Sequence, residues 1–258
     1  MKSRSKWIRI ALLAIVATLS RQAVASPDPD RATIKPEEMS VTELERAADE
    51  ARAQKNYDLA LVYLRVALRK DRNNATLYNK IGLAELKKQD YKSARGDFEK
   101  ATKRNPRFAD AVNNIGATEY LKKNYAGAAK YFKKAVALEE TRATFHVNLG
   151  AAWFSQKKLD QAVSEYARAV ELDPEALQTD SRAGIVAQIA SPEERAQYQY
   201  LLAKIYAKRG DVENCLQCLR KAKEDGYRKL ASVYQDEDFT QMRANPQLHE
   251  LVPPPIAK

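Results

Sequence analysis

Apolar side chains recur every three or four residues along much of the chain, as in Tyr78 and Ile81 or Val112 and Ile115. This spacing places them on one face of an α-helix. A short polar turn, such as KNY at 123–125, follows each such segment, and a second segment of the same kind comes after the turn. The pattern therefore predicts pairs of short helices joined by tight turns.

The same residue types return at intervals of 34 residues. Gly82, Gly116 and Gly150 share one position, and the interval extends upstream to Ala48. Two further positions follow, one small and one large and apolar: Ala60, Ala94, Ala128 and Ala162, then Leu64, Phe98, Phe132 and Tyr166. Small residues on both helices of a pair let the two backbones approach closely. A fixed period indicates stacked repeats, which we place at 41–74, 75–108, 109–142 and 143–176.

These residues resemble the tetratricopeptide repeat motif, an ordered set of aromatic, apolar, small and proline positions. One repeat supplies Tyr78, Ile81, Gly82, Ala94, Phe98, Ala101 and Pro106, and another Leu149, Gly150, Trp153, Ala162, Tyr166, Ala169 and Pro174. The first repeat departs from the motif, with Ala48 for glycine and Arg72 for proline, and Glu140 also replaces a proline. The resemblance implies an all-α fold, a right-handed superhelical solenoid of helix-turn-helix repeats with a C-terminal helical cap.

The period breaks after residue 176 and resumes later. Residues 177–195 fit no repeat and are predicted to be an insertion. A fifth repeat is predicted over 196–229, and residues 230–258 resemble a helical cap followed by a tail. The fifth repeat rests on Leu202, Ala203, Tyr206, Cys215, Leu219 and Ala222. Residues 26–40 are predicted to be a disordered linker.

The N-terminus has the pattern of a secretory signal peptide. Residues 1–25 carry five basic residues and no acid, and their apolar run of 11 residues ends before Arg21. A spanning helix needs about 20 apolar residues. Ala23-Val24-Ala25 matches a cleavage site, which predicts a mature chain beginning at Ser26 in the periplasm or outside the cell. An uncleaved signal that anchors the chain in a membrane is the alternative, and otherwise no membrane contact is expected.

Charge argues against a nucleic-acid partner. The net charge is +10, and half of it lies in residues 1–25. The remaining 39 basic and 34 acidic residues are mixed along the chain rather than gathered into a basic track. Lysine pairs such as 122–123 and 157–158 are interpreted as solvated helix ends.

No arrangement typical of an enzyme is found, and neither a cofactor nor a metal is expected. The nearest glycines, Gly116 and Gly127, are eleven residues apart, which excludes a glycine-rich phosphate loop. His146 occupies a core position of its repeat, and His249 has no evident carboxylate partner. Cys215 and Cys218 could form a redox pair, but Cys215 occupies a small-residue position inside a repeat, which favours a buried structural role. A thiol-redox protein remains the alternative.

The resemblance also implies where a partner binds. In the family the first helix of each repeat lines a concave groove, which assigns to this groove Asn79, Lys80, Leu86, Asn113, Asn114, Tyr120, Asn148 and Phe154. Amides donate and accept hydrogen bonds, so a row of asparagines suits an extended peptide. We therefore expect a monomeric scaffold or adaptor that binds a peptide or helix of another protein. Two alternatives stay open: the asparagines serve the repeats' own stability, or the protein is an assembly factor that binds through its convex face.

Overall fold

The computed structural model describes residues 35–177 and 191–255. The chain divides into two compact units, Met1–Met39 and Ser40–Lys258, and every described helix lies in the second. In the first unit, residues 35–39 form a turn in which the N–H of Glu38 donates to the carbonyl of Lys35 at 2.8 Å. The predicted signal peptide, residues 26–34 of the linker and residues 178–190 of the insertion lie outside the described residues.

Helices joined in pairs build the second unit, and its described residues contain no strand. The pairs before the gap are α1 Val41–Ala53 with α2 Tyr57–Lys70, α3 Ala75–Lys87 with α4 Tyr91–Arg104, α5 Ala109–Leu121 with α6 Tyr125–Leu138, and α7 Ala143–Ser155 with α8 Leu159–Leu172. After the gap come α9 Pro192–Lys208, α10 Val212–Glu224, two 3-10 helices at Leu230–Tyr234 and Glu237–Met242, and α11 Pro246–Leu251. Each helix from α1 to α10 packs against the next, which confirms the predicted all-α solenoid of helix pairs.

The turn inside each pair has one hydrogen-bond pattern. In the first pair, the N–H of Asn56 donates to the carbonyl of Ala51 at 2.8 Å, and the N–H of Lys55 to that of Arg52 at 2.9 Å. This pattern requires a left-handed residue after the helix. Lys55 has a φ of 59°, and the equivalent residues are Gln89, Lys123, Lys157 and Gly210, with φ of 64°, 63°, 61° and 73°. Four of these five turns therefore use a residue other than glycine in a conformation that favours glycine.

The residue after the left-handed one also begins the second helix of the pair. The side chains of Asn56, Asp90, Asn124 and Asp211 each accept a hydrogen bond of 3.1 Å from the N–H three residues later. Lys158, the equivalent residue in the fourth pair, makes no such bond. Each bond satisfies a backbone N–H in the first turn of the second helix that would otherwise be unpaired. The same short turn therefore ends the first helix of the pair and begins the second.

Glycine on the first helix receives an aromatic ring from the second. A Cβ atom built on Gly82, Gly116 or Gly150 would lie 2.6 to 2.8 Å from a ring carbon of Phe98, Phe132 or Tyr166. All three rings are completely or almost completely buried. The first and fifth pairs carry alanine and leucine at these positions instead, namely Ala48 with Leu64 and Ala203 with Leu219. The contact that sets the helix separation is thus a matched small and large pair in each repeat.

The C-terminal helices cover the last pair. Val233, Phe239, Met242 and Leu248 are buried there together with α9 and α10, and the ring of Tyr200 on α9 stacks on Tyr227 at 4.4 Å. A repeat array needs such a cap because its last unit would otherwise expose an apolar face. Within residues 35–177 and 191–255, no helix combines the length and the apolarity needed to cross a bilayer.

Candidate binding groove

The first helices of consecutive pairs form a layer, in which α3 contacts α5 and α5 contacts α7. Polar side chains bond across each junction of this layer. Asn114 Nδ2 donates to Asn79 Oδ1 at 2.9 Å, and Asn148 Nδ2 donates to Asn113 Oδ1 at 2.8 Å. Both bonds join residues 35 positions apart, so each is one step of a repeating series. We call the series, with the equivalent contact of Lys80 to α1, the inter-repeat ladder.

The first step of the ladder is charged. Lys80 Nζ donates to Glu45 Oε2 and to Asp49 Oδ2, both at 2.8 Å. Burial lowers the pKa of Lys80, but the hydrogen bonds to Asp49 and Glu45 outweigh it, so the net shift of the pKa is upward. Lys80 therefore stays an ammonium with two carboxylate partners, whereas the next two steps join neutral amides.

The ladder uses only part of each amide. Asn79 and Asn113 accept through oxygen, and Asn114 donates through nitrogen. In the described part of the chain, Nδ2 of Asn79, Nδ2 of Asn113 and Oδ1 of Asn114 make no hydrogen bond. Asn114 is half-buried, Asn79 and Asn113 are each 8% exposed, and Asn148 is 1% exposed. The asparagines thus join repeat to repeat, and contact of these residues with a partner stays a prediction.

The three apolar or aromatic candidates take part in packing. Leu86 is half-buried and packs against the buried cluster of Ala94, Phe98 and Ile115. Tyr120 is buried, and its hydroxyl lies 2.9 Å from Ser155 Oγ. Phe154 is also buried, with its ring edge-to-face on Tyr198 at a centroid distance of 5.6 Å. The eight predicted residues therefore lie on α3, α5 and α7, and hydrogen bonds bring together Asn79 with Asn114 and Asn113 with Asn148.

Comparisons with known proteins bear on this repeated geometry. Three family models, each described as tetratricopeptide repeat, match residues 79–142, 119–185 and 196–224 and together span more than half of the chain. The chain belongs to the tetratricopeptide repeat family. The resemblance drawn from the 34-residue period is thereby confirmed.

Solved structures agree on the fold. MamA 41-end from Desulfovibrio magneticus RS-1 is 21% identical, covering 72% of this chain and 95% of that one with a TM-score of 0.52. TTC0263, a thermophilic tetratricopeptide repeat protein in Thermus thermophilus, is 19% identical, covering 76% and 97% with a TM-score of 0.50. At such identities the similarity shows the fold alone. No protein with a curated description matches this sequence.

Two tetratricopeptide repeats contain a buried glutamate at the same position, Glu85 and Glu119, which are 4% and 2% exposed. Arg65 on α2 donates to Glu85 Oε1 at 3.3 Å, and Arg95 on α4 pairs with Glu119. Each pair links the second helix of one repeat to the first helix of the next. Buried carboxylates therefore join the repeats through ion pairs. Loss of Arg65 would leave Glu85 buried without its ion-pair partner, whereas loss of Arg95 would leave Glu119 with Lys122 Nζ at 3.7 Å and the side-chain amide of Asn124.

Glu85 carries a further perturbation. Burial and the neighbouring charge of Asp97 raise the pKa of Glu85 to about 7, and Arg65 opposes this rise. Glu85 Oε2 is buried and has no hydrogen-bond donor among the described residues. Sequence reasoning missed this cluster, although both Glu85 and Glu119 fall on the predicted apolar face of their helices. The sequence did contain a signal for this cluster, namely an ionisable side chain at a core position. A buried carboxylate needs a charged or hydrogen-bonding partner, so its position predicts one nearby.

The cysteines of the fifth repeat are buried free thiols on α10. Burial raises the pKa of both Cys215 and Cys218 to about 12, and for Cys215 the neighbouring Cys218 adds to the rise. The thiolate is the reactive form of cysteine, so these thiols are poorly suited to exchange at neutral pH. The expected burial of Cys215 at a small-residue position is confirmed, and the geometry gives no support to the redox alternative.

The histidines have structural contacts. His146 is buried, with Nδ1 2.7 Å from Glu165 Oε2 and Nε2 3.0 Å from the carbonyl of Glu140. His249 Nε2 lies 2.6 Å from the carbonyl of Arg243. Neither ring is placed beside a serine or cysteine nucleophile by these contacts. Where the structure describes the chain, it groups no three His, Cys, Asp or Glu side chains in a way that could hold a metal ion.

Proposed function

We propose that this tetratricopeptide repeat protein is a non-catalytic scaffold or adaptor that binds a peptide or helix of a partner protein along its first-helix layer. The observation that supports the proposal is the half-used state of the ladder amides. Asn79 and Asn113 retain an unbonded donor, and Asn114 retains an unbonded acceptor, among the residues that the structure describes. An extended peptide presents both N–H and C=O groups, so it requires both kinds of atom.

The ladder also prepares these amides for binding. Each asparagine is held by a bond to the adjacent repeat, so its side chain has lost rotamer freedom before any partner arrives. Ordering a free side chain on binding costs about 0.5–1.5 kcal/mol. A row of pre-oriented amides therefore favours binding of a regular backbone over binding of a single compact ligand.

Selection from a library of displayed linear peptides tests the proposal, with the chain that begins at Ser26 as the target. We expect an enriched peptide whose affinity falls about tenfold in Asn114→Ala, the loss of one hydrogen bond to a neutral group. Lys130→Ala, at an exposed position on α6, is the matched control and should change the affinity less than about twofold. Melting temperatures of both variants separate lost contacts from lost folding.

An unchanged affinity in a folded Asn114→Ala variant would remove the first-helix layer as the binding surface. Equal losses in both variants would instead indicate general charge or stability effects. A library that yields no binding peptide would contradict peptide recognition itself and leave the convex face as the surface to examine.

We also propose that the protein is exported to the periplasm or the medium as a monomer. The support is the basic and apolar pattern of residues 1–25 with its cleavage signature before Ser26. N-terminal sequencing of the protein recovered from a native-type host should identify Ser26 as the first residue. A retained N-terminus would favour the membrane-anchored alternative, and a mass above one chain in light scattering would contradict the monomer.

A further inference from the structure

The turns inside the helix pairs carry an excess of lysine. We define the turn edge as residues 54–58, 87–92, 122–126 and 156–160, which contain eight lysines, three aspartates and neither arginine nor glutamate. Because the turns recur once per stacked repeat, they lie on the same side of the stack. The turn edge is therefore a row of basic groups that extends over four repeats.

Backbone geometry sets three of these lysines apart. Lys55, Lys123 and Lys157 occupy the left-handed position of their turns, which residues with a Cβ disfavour. The fifth repeat has Gly210 there, and its turn makes the same hydrogen bonds, from Asp211 to the carbonyl of Tyr206 at 2.9 Å and from Gly210 to that of Ala207 at 3.0 Å. The turn therefore does not need lysine. Lysine is thus present in a disfavoured backbone conformation at positions where the fold does not require it. This combination points to a function of the lysine side chain.

The charge of the turn edge is also available. Lys55 and Lys123 are exposed and have no ion-pair partner in the described ranges. Lys157 pairs with Glu194 at 2.9 Å, yet its side chain remains 56% exposed. Lys88 pairs with Asp58, and Lys122 Nζ lies 3.7 Å from Glu119 Oε1, so these two lysines of the turn edge also have carboxylate partners. The turn edge thus presents unneutralised ammonium groups to solvent.

We propose that the turn edge binds the anionic surface of a phospholipid bilayer. A flat surface can meet the turns of successive repeats at once, because the turns share one side of the stack. Lysine supplies a point charge on a flexible stem, which suits a diffuse, laterally mobile array of phosphates, whereas arginine suits one defined carboxylate or phosphate. Each lysine near an anionic leaflet adds to the attraction. This interaction uses residues other than the eight assigned to the first-helix layer, although Tyr125 contacts Tyr120 and Lys157 contacts Phe154.

Vesicle co-sedimentation tests the proposal, with the chain that begins at Ser26 because it retains the whole helical unit Ser40–Lys258. The vesicles are phosphatidylcholine, with or without about one third phosphatidylglycerol. Binding is expected to the anionic vesicles alone and to weaken as salt rises. The variant Lys55→Gly/Lys123→Gly/Lys157→Gly should bind on the order of a hundredfold more weakly. Glycine suits all three backbone positions, so this variant should keep or raise its melting temperature.

The matched control is Lys103→Gln/Lys130→Gln/Lys134→Gln, which removes the same formal charge from exposed positions on α4 and α6. Its binding should fall less than about tenfold. A comparable loss in both variants would overturn the assignment to the turn edge. If the unaltered chain failed to bind anionic vesicles, the proposal that the turn edge binds a membrane would be wrong. If the chain were then retained on immobilised polyglutamate, the turn edge would be assigned to an acidic protein instead.

Discussion

Gly116→Ala probes the contact that sets the distance between α5 and α6. The added Cβ would lie 2.7 Å from both Cδ1 and Cε1 of Phe132 and 3.2 Å from Cγ. Carbon atoms in contact normally lie about 3.5–4.0 Å apart, so the ring or a helix must move by about 1 Å. Phe132 is fully buried, which leaves no solvent-filled space to receive the ring.

Two effects of opposite sign determine the magnitude. Overpacking of a buried site costs about 1–3 kcal/mol. Alanine is favoured over glycine inside a helix by about 1 kcal/mol, which offsets part of this cost. Gly96→Ala is the matched control, because Gly96 lies inside α4 and has no atom within 4 Å of its added Cβ. We expect the control to gain about 1 kcal/mol, so the difference between the variants isolates the steric cost of about 1–3 kcal/mol.

Urea denaturation followed by circular dichroism measures both free energies of unfolding. The double variant Gly116→Ala/Phe132→Leu adds a second check, because Ala48 with Leu64 and Ala203 with Leu219 already combine these residue types. It should recover part of the steric cost. The account of the contact would be refuted if Gly116→Ala were as stable as Gly96→Ala. It would also be refuted if the loss of stability in the double variant equalled the sum of the losses from the two single substitutions.

Three further predictions concern the turns, the carboxylates and the thiols. Lys123→Gly should raise the free energy of unfolding by about 1 kcal/mol, and Gly210→Ala should lower it by a similar amount, because glycine is favoured at a left-handed position and a residue with a Cβ is not. Thermal unfolding of both variants measures these changes, and shifts of the same sign would contradict the prediction. The raised pKa of Glu85 means that the folded chain holds more protons than the unfolded chain, so stability that is present below pH 4.5 is lost as the pH rises through about 7. Unfolding across this interval should show that Glu85→Gln removes this loss, and an unchanged pH dependence would disprove the assignment. Cys215 and Cys218 should react with a thiol reagent at neutral pH only after denaturation, since burial raises the pKa of both to about 12; rapid labelling of the native chain would contradict their burial.

The helix pairs were predictable because their determinants are local and repeated. Gly116 and Phe132 are 16 residues apart in one repeat, and the same interval returns in the neighbouring repeats. Periodicity therefore identifies both the helical faces and the small and large positions that meet. The left-handed turns were not predictable in the same way, because Lys55 and Lys123 are residue types that disfavour this conformation.

Contacts between repeats were harder to predict. The bond from Asn114 to Asn79 joins residues 35 apart, one more than the period, since it depends on how far neighbouring helices are offset in the stack. Periodicity shows that Asn79 and Asn113 are equivalent but not which atom of the next repeat each one meets. The cluster of Glu85 and Asp97 likewise depends on rotamers and on burial rather than on spacing.

The ladder has a consequence for how such an array lengthens by gene duplication. A second copy of 109–142 would place a new Asn114 against the existing Asn113, which reproduces the amide contact already found at Asn79. A second copy of 75–108 would place Lys80 against Asn79 and deprive its ammonium of both carboxylates. The contacts between repeats therefore tolerate duplication of residues 109–142 and disfavour duplication of residues 75–108. The order of the repeats along the chain thus limits how the array can lengthen.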